Sequence, residues 1–280
     1  MRIGPTPLLA ALLLLLAACT AEVREADLLR PVRGGALSAT ELAKAAPAYS
    51  LTEERIAAQG ATLYAVHLRQ PGATSTILYF GGNGFTIGRF GAWSASIFAP
   101  LGVDLFIVDH RGYGLSTGLP TLETMGPDGA AAFDHLARKL GPDGRIVLHG
   151  QSLGSFIAGD VAAARPAAGV VLESSATTAE EWTRVATPGL AKAFVKVKLD
   201  ERLKGKGNLG AMSRIDEPLM LLVGAKDGTT PPIMSRGLYA ASPLPPGRKT
   251  LVEVAGANHV DVMTKPQAIA AYRAFLARLR

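Results

Sequence analysis

The chain of 280 residues has a single cysteine, Cys19. One thiol excludes an intramolecular disulfide, and a zinc cluster of thiolates is excluded with it. Aromatic residues are scarce, 6% of the chain, and no Lys/Arg run is interleaved with them. The net charge is +6 and the pI near 9.5, yet without stacking side chains beside the cations this argues against a nucleic-acid surface. The apolar run from Leu8 to Ala18 is too short to span a bilayer. No internal repeat is present, and no motif implies a metal or a cofactor. What is abundant is hydrophobic residue, 48% with 31 Gly, enough to bury one large core in a single domain.

The first segment differs in kind. Arg2 supplies a short positive region, an apolar stretch follows, and it closes on Leu16-Ala17-Ala18-Cys19. That stretch resembles the lipobox of bacterial lipoproteins, which implies removal of residues 1–18 and lipidation of Cys19. Thr20, where an Asp would retain the protein at the inner membrane, implies sorting to the outer membrane, on the periplasmic side. An ordinary signal peptide or a buried thiol is the alternative. Residues 19–48 show no clear period and read as a tether from the anchor, helical in part.

From Leu51 the pattern becomes regular. Leu51 to Ala57 and Thr62 to Arg69 read as two strands around Gly60. Short β-rich runs follow at Thr76–Phe80, Val103–Val108, Arg145–His149, Val170–Glu173, Leu219–Val223 and Thr250–Val254, with helical segments between them. Phe133, Leu136, Ala137 and Leu140 fall at helical spacing behind Pro127, as do Ile269, Tyr272, Leu276 and Leu279 behind Pro266. This alternation predicts an α/β domain over 49–280, a mostly parallel sheet with helices on both faces. Residues 175–216 break the rhythm and hold Trp182, Pro188-Gly189 and a basic run, Lys192 to Lys206. A loop that long is rare in a compact domain, so a small helical lid is expected. Its cations suit an anionic lipid surface or an acidic ligand, and a solvated helix face equally well.

Gly-x-Ser-x-Gly suits a serine on a sharp strand-to-helix turn, where side chains at the flanking positions would clash. The pattern occurs twice, at Gly114-Leu115-Ser116-Thr117-Gly118 and Gly150-Gln151-Ser152-Leu153-Gly154. Only the second directly follows an expected strand and opens an expected helix, so Ser152 is the candidate nucleophile. A serine hydroxyl needs a base, and the base needs a carboxylate to fix its tautomer. The one histidine downstream is His259, in the loop after the last strand. Asp227 follows the strand Leu219–Val223 and is preferred as the acid over Asp216, which precedes that strand, and Asp261, which follows the histidine. Developing oxyanion charge needs fixed backbone N–H donors, assigned to Leu153 and to Asn83 in Gly81-Gly82-Asn83-Gly84, with Gly84 as fallback. That Gly-rich loop lacks the Lys-Ser/Thr of a P-loop.

With these residues the chain from about Leu51 to Arg280 resembles the α/β-hydrolase superfamily, within it the serine aminopeptidase and monoacylglycerol lipase-like group that includes BEM46-type proteins. The resemblance is carried by Tyr79-Phe80-Gly81-Gly82-Asn83-Gly84, Asp109-His110-Arg111-Gly112-Tyr113-Gly114, the Ser152 elbow, Gly224-Ala225-Lys226-Asp227 and Asn258-His259. It implies an α/β-hydrolase fold and a structural role for the Asp109–Thr121 loop, and His110 and His149 also read as structural. The group usually has His at the position of Gly81. The expected activity is hydrolysis of a small acyl ester or lipid-like substrate, an amide or thioester being the second choice. A non-catalytic envelope binding protein on the same fold is the alternative, because fold does not fix function.

Overall fold

The structure, a computed structural model, describes residues 19–186 and 195–279. The apolar leader 1–18 with its part of the lipobox-like stretch lies outside them, as do Pro188-Gly189 and Lys192. The strands are β1 Cys19–Val23, β2 Ser50–Ala58, β3 Ala61–Arg69, β4 Thr76–Phe80, β5 Asp104–Val108, β6 Ile146–Gln151, β7 Gly169–Glu173, β8 Val195–Leu199, β9 Leu219–Gly224 and β10 Lys249–Val254. Eight of them form one sheet in the order β10-β9-β7-β6-β4-β5-β3-β2. β2 and β3 are an antiparallel hairpin turning at Gly60, β3 is antiparallel to β5, and the remaining neighbours are parallel.

The helices are α1 Glu25–Leu28, α2 Ala39–Ala45, α3 Ile87–Phe98, α4 Leu122–Leu140, α5 Leu153–Ala162, α6 Ala179–Ala186, α7 Pro232–Ala241 and α8 Pro266–Arg278. Because side chains alternate along a strand, the apolar runs feed two cores at once. Leu78, Phe80, Leu148 and Leu172 pack with Phe133, Leu136 and Ile157 of α4 and α5. Ile77, Tyr79, Val147 and Val171 pack on the other face with Phe98 of α3 and Tyr272 of α8. Each such buried side chain contributes roughly 1.5–3 kcal/mol, so a one-residue register slip would exchange the two cores. Helix α4 runs through Pro127 instead of starting behind it, because the Thr121 hydroxyl caps the earlier start by accepting the Thr124 N–H.

The segment expected to be a tether is instead laid on the domain. Leu29, Leu37, Leu42 and Ala46 are buried, Glu25 accepts the Leu122 N–H at 2.6 Å, and Arg33 donates to the Ser116 carbonyl at 2.8 Å. These anchors follow neither a helical nor a strand period, which is why the sequence reads as unstructured there. The 175–216 interval contains α6 as well as strand β8 and two 3₁₀ turns, Glu201–Leu203 and Met212–Arg214. Strand β8 pairs in parallel with β1, joining the start of the strap to the lid. Trp182 of α6 donates to the Thr229 carbonyl at 2.9 Å, and Asn208 donates to the Ser155 carbonyl at 2.9 Å, fastening the lid over the carboxyl edge of the sheet. Among the described residues no helix is long and apolar enough to cross a membrane.

Candidate active site

In open α/β sheets the carboxyl ends of the strands, at the point where strand order reverses, form the natural crevice. Here β4 is the pivot, with β5 on one side and β6 on the other. The loops after β4, β6, β9 and β10 bring Asn83, Ser152, Asp227 and His259 to this edge.

Ser152 is the N-cap of α5 at φ 52° and ψ −116°, one of two non-glycine residues with positive φ among those described. Such a conformation costs about 1–3 kcal/mol and survives only where its surroundings enforce it. The flanking glycines are the enforcement. A Cβ on Gly150 would lie 2.2 Å from the Gly154 carbonyl oxygen, and one on Gly154 would lie 2.0 Å from that of Phe80. The Ser152 N–H donates to the Glu173 carbonyl at 2.9 Å, tying the turn to β7.

The Ser152 Oγ lies 2.9 Å from His259 Nε2, and His259 Nδ1 lies 2.9 Å from Asp227 Oδ2. Asp227 is buried, yet both carboxylate oxygens are satisfied: Oδ1 accepts the Thr229 and Thr230 N–H groups at 2.8 Å each, and the Thr230 hydroxyl is 2.9 Å from Oδ2. Burial pushes this carboxyl up, but the bonds from His259 and Thr230 outweigh it and hold it below the ordinary carboxylate value. A charged acceptor at Nδ1 selects the tautomer in which Nε2 is free to take the serine proton. The histidine backbone is held as well, its carbonyl accepting from Gln151 at 3.1 Å and Ser174 at 3.2 Å.

The rival residues have other places. Ser116 is fully buried, donates to the Asp109 carbonyl at 2.7 Å and accepts the Tyr64 N–H at 2.8 Å. Asp261 accepts the Asn258 N–H at 2.6 Å and pairs with Lys265. Asp216 precedes β9, at the opposite edge. His110 Nε2 is 2.7 Å from the Gly81 carbonyl, beneath the oxyanion loop, and His149 pairs with Glu173 inside the core. At Gly81 itself a Cβ would lie 2.2 Å from the Phe85 ring, so the aromatic side chain fills the space a histidine would need.

Leu153 is the first residue of α5, where the N–H has no intrahelical acceptor, and both Leu153 and Asn83 line the cavity above Ser152. The Asn83 side chain points elsewhere in its bonding. Its Oδ1 accepts the Arg30 N–H and the Tyr113 hydroxyl, each at 2.9 Å, and its Nδ2 donates to the Leu28 carbonyl. The strap therefore holds the Gly81-Gly82-Asn83-Gly84 loop, and Asp27, Leu28 and Arg30 form part of the cavity wall. Sequence reasoning missed this wall and missed Thr230. The strap has no periodic signal, and Thr230 lies in no motif beyond its position after Asp227.

Comparison with known proteins agrees with this geometry. The family described as serine aminopeptidase, S33, matches residues 72–208. The WAV2 α/β-hydrolase domain-containing protein of Arabidopsis thaliana is 28% identical over 197 residues, covering 66% of this chain and 64% of that protein. The α/β-hydrolase domain-containing protein 17B of Homo sapiens is 28% identical over 159 residues, 56% of this chain and 51% of that protein. The chain thus spans less than two thirds of either relative. The Pyrococcus furiosus esterase Pf2001 superposes with a TM-score of 0.69 over 89% of this chain and 98% of its own, at 17% identity. The chain has the α/β-hydrolase fold. The strap, residues 19–48, lies outside the matched S33 segment, so this wall of the cavity is not part of that likeness.

Proposed function

We propose that this α/β-hydrolase is a serine esterase acting through an acyl-enzyme. The observation that carries the reading is the continuous hydrogen-bonded line from Ser152 Oγ through His259 to the buried Asp227, built on a strained elbow. Ser152 Oγ attacks the ester carbonyl while His259 Nε2 takes its proton, and Asp227 stabilises the imidazolium. The carbonyl oxygen becomes an oxyanion received by the Leu153 and Asn83 N–H groups, each such donor being worth about 10²–10³ in rate. Collapse of the intermediate expels the alcohol, which leaves with the proton from His259. Water then repeats the sequence on the acyl-serine and regenerates the free hydroxyl. An amide would need the same groups and a poorer leaving atom, so an ester is the better substrate.

The chain is further read as an envelope protein held by acyl chains on Cys19, at the outer membrane, on the strength of the Leu16-Ala17-Ala18-Cys19 stretch. Mass spectrometry of the mature N-terminus tests the anchor, and an unmodified Cys19 refutes it.

The activity is tested by a fluorophosphonate probe on folded protein, with Ser152→Ala as control. Covalent labelling of the wild type at Ser152 together with ester turnover is expected. A folded protein that neither labels nor turns over esters would be a binding protein on a hydrolase fold.

A further inference from the structure

Two cavities adjoin across Gly82, Asn83 and Gln151, beside Ser152. The first, about 330 Å³, contains Ser152, Leu153 and His259 together with Trp182 and Thr230. The second, about 400 Å³, lies on the far side of the oxyanion loop and is walled by Phe85, Phe90, Trp93, Ile97, Phe98 and Met263. Gly82, Asn83, Gln151 and Val260 line both, so the two spaces share one partition. Both volumes lie in the range of roughly 300–1,000 Å³ that small-molecule sites occupy. The partition is thin at Gly82, where an added Cβ would come within 2.2 Å of the Gln151 Oε1 and 3.4 Å of the Ser152 Cβ.

Proton transfer assigns the two spaces. The base that takes the serine proton must deliver it to the leaving atom, which therefore departs within hydrogen-bond reach of His259 Nε2. His259 and Ser152 both line the first cavity and neither lines the second, which begins across Gly82 and Gln151. The acyl chain, a different substituent on the same tetrahedral carbon, is left the other direction. Composition agrees. Both cavities have apolar walls, the first including Leu122, Phe156 and Trp182, but only the first adds the charged Asp27, Arg30 and Lys206, which suit a polar leaving group. The second is almost wholly apolar, and its one carboxylate, Glu173, is buried and lies 3.0 Å from the His149 ring nitrogen. Its walls are braced by ring contacts, Tyr79 edge-on to Phe85 at 5.5 Å and Phe85 stacked on Phe90 at 5.7 Å. Trp93 is 43% exposed and Val260 68%, giving the space an apolar rim open to solvent.

The geometry points to the aromatic cavity as the acyl subsite, its occupant an apolar acyl chain of medium length, with a polar leaving group in the first cavity. This inference rests on the serine-esterase reading.

The test is a series of nitrophenyl esters from acetyl to octanoyl. In the wild type kcat/KM rises about fourfold per methylene, the equivalent of about 0.8 kcal/mol for each buried CH₂. Ile97→Trp fills the cavity and lowers the octanoyl-to-acetyl ratio of kcat/KM by about tenfold or more. Trp93→Ala, at an exposed position that tolerates truncation, opens the rim and flattens the rise independently. Leu28→Trp, in the wall of the first cavity, leaves the rise intact. Persistence of the wild-type rise in both Ile97→Trp and Trp93→Ala overturns the assignment, as does its loss in Leu28→Trp alone. Labelling of Ser152 without any gain from chain length overturns the acyl subsite and leaves the hydrolase reading standing. Failure to label Ser152 removes both.

Discussion

The Asn83 carboxamide accepts the Arg30 backbone N–H at 2.9 Å, so the loop proposed to receive the oxyanion is fastened to the strap that precedes the domain. Tyr113 donates to the same oxygen at 2.9 Å, and the amide nitrogen binds the Leu28 carbonyl. Asn83→Ala keeps the backbone N–H and removes all three bonds, each worth about 1 kcal/mol net. A donor displaced by as little as ~1 Å can cost about 10² in rate. Ester hydrolysis by Asn83→Ala is therefore expected to fall by about 10- to 100-fold in kcat with a smaller change in KM. Asn83→Asp, which keeps the acceptor for Arg30 and Tyr113, recovers part of the loss. Equal kcat in Asn83→Ala and wild type would show that the strap does not position the loop.

Much of the centre of the fold was legible in the sequence, and the periphery was not, for physical reasons. Strands such as Ile146-Val147-Leu148 are buried on both faces and leave uninterrupted apolar runs. The elbow is legible because steric exclusion at Gly150 and Gly154 fixes residue type at fixed spacing. The strap is held by isolated anchors and by backbone-to-side-chain bonds to residues far along the chain, and neither leaves a local pattern. Strand β8 is a different case. Val195-Lys196-Val197-Lys198-Leu199 alternates with period two, a strand signal that the reading of its lysines as a charge run obscured. Its partner, Cys19–Val23, is too distant in sequence for any local pattern to reveal.

Asp227 and Thr230 divide the task of orienting His259. Asp227→Asn keeps the shape but offers an amide where an acceptor is needed, and a loss of about 10⁴ in kcat is expected from the wrong tautomer. Thr230→Val leaves the Thr230 N–H bond to Asp227 intact and removes only the hydroxyl, whose one proton is shared between the Asp227 carboxylate and the Ser174 carbonyl, each at 2.9 Å, with His259 Nδ1 at 3.2 Å. A loss of about tenfold, near 1.4 kcal/mol, fits one charge-assisted bond. Steady-state kinetics on an acetyl ester measures both. A Thr230→Val enzyme as impaired as Asp227→Asn would assign the hydroxyl a larger role.

The Arg111–Asp128 pair fixes the Asp109–Thr121 loop to α4. Arg111 donates from Nε at 2.8 Å and from Nη2 at 2.6 Å to the two carboxylate oxygens, and Nη2 also donates to the Gln59 carbonyl at 2.8 Å. Both residues are buried, so removal of one strands the other in a poorly solvating site. Asp128→Leu is expected to lower unfolding free energy by about 3–5 kcal/mol, and Arg111→Met with Asp128→Leu to recover most of it. Urea denaturation of the single and double variants measures this. A double variant as unstable as the single one would show that the pair contributes more than mutual neutralisation.

His67 supplies a signed pH effect on stability. The ring lies in β3, fully buried, with neither nitrogen hydrogen-bonded and with Glu54 and Asp104 each 3.9 Å away. Burial, aided by the cations Arg69 and Lys139 and opposed by Glu54, pushes this imidazole down from 6.5 to about 4. Between those values the unfolded chain binds a proton that the folded protein refuses, so stability is complete above pH 6.5 and is lost as the pH falls towards 4. A shift of this size corresponds to about 3 kcal/mol in all. Asp109, pushed up by burial from 3.8 to about 6, acts in the opposite sense over an overlapping window, since there the folded protein holds the proton. The two are separated by the difference between wild type and His67→Leu. Their unfolding free energies, followed by urea titration from neutral pH downward, should converge or cross in favour of the variant as the pH approaches 4. Parallel curves over that range would show that His67 does not titrate in this way.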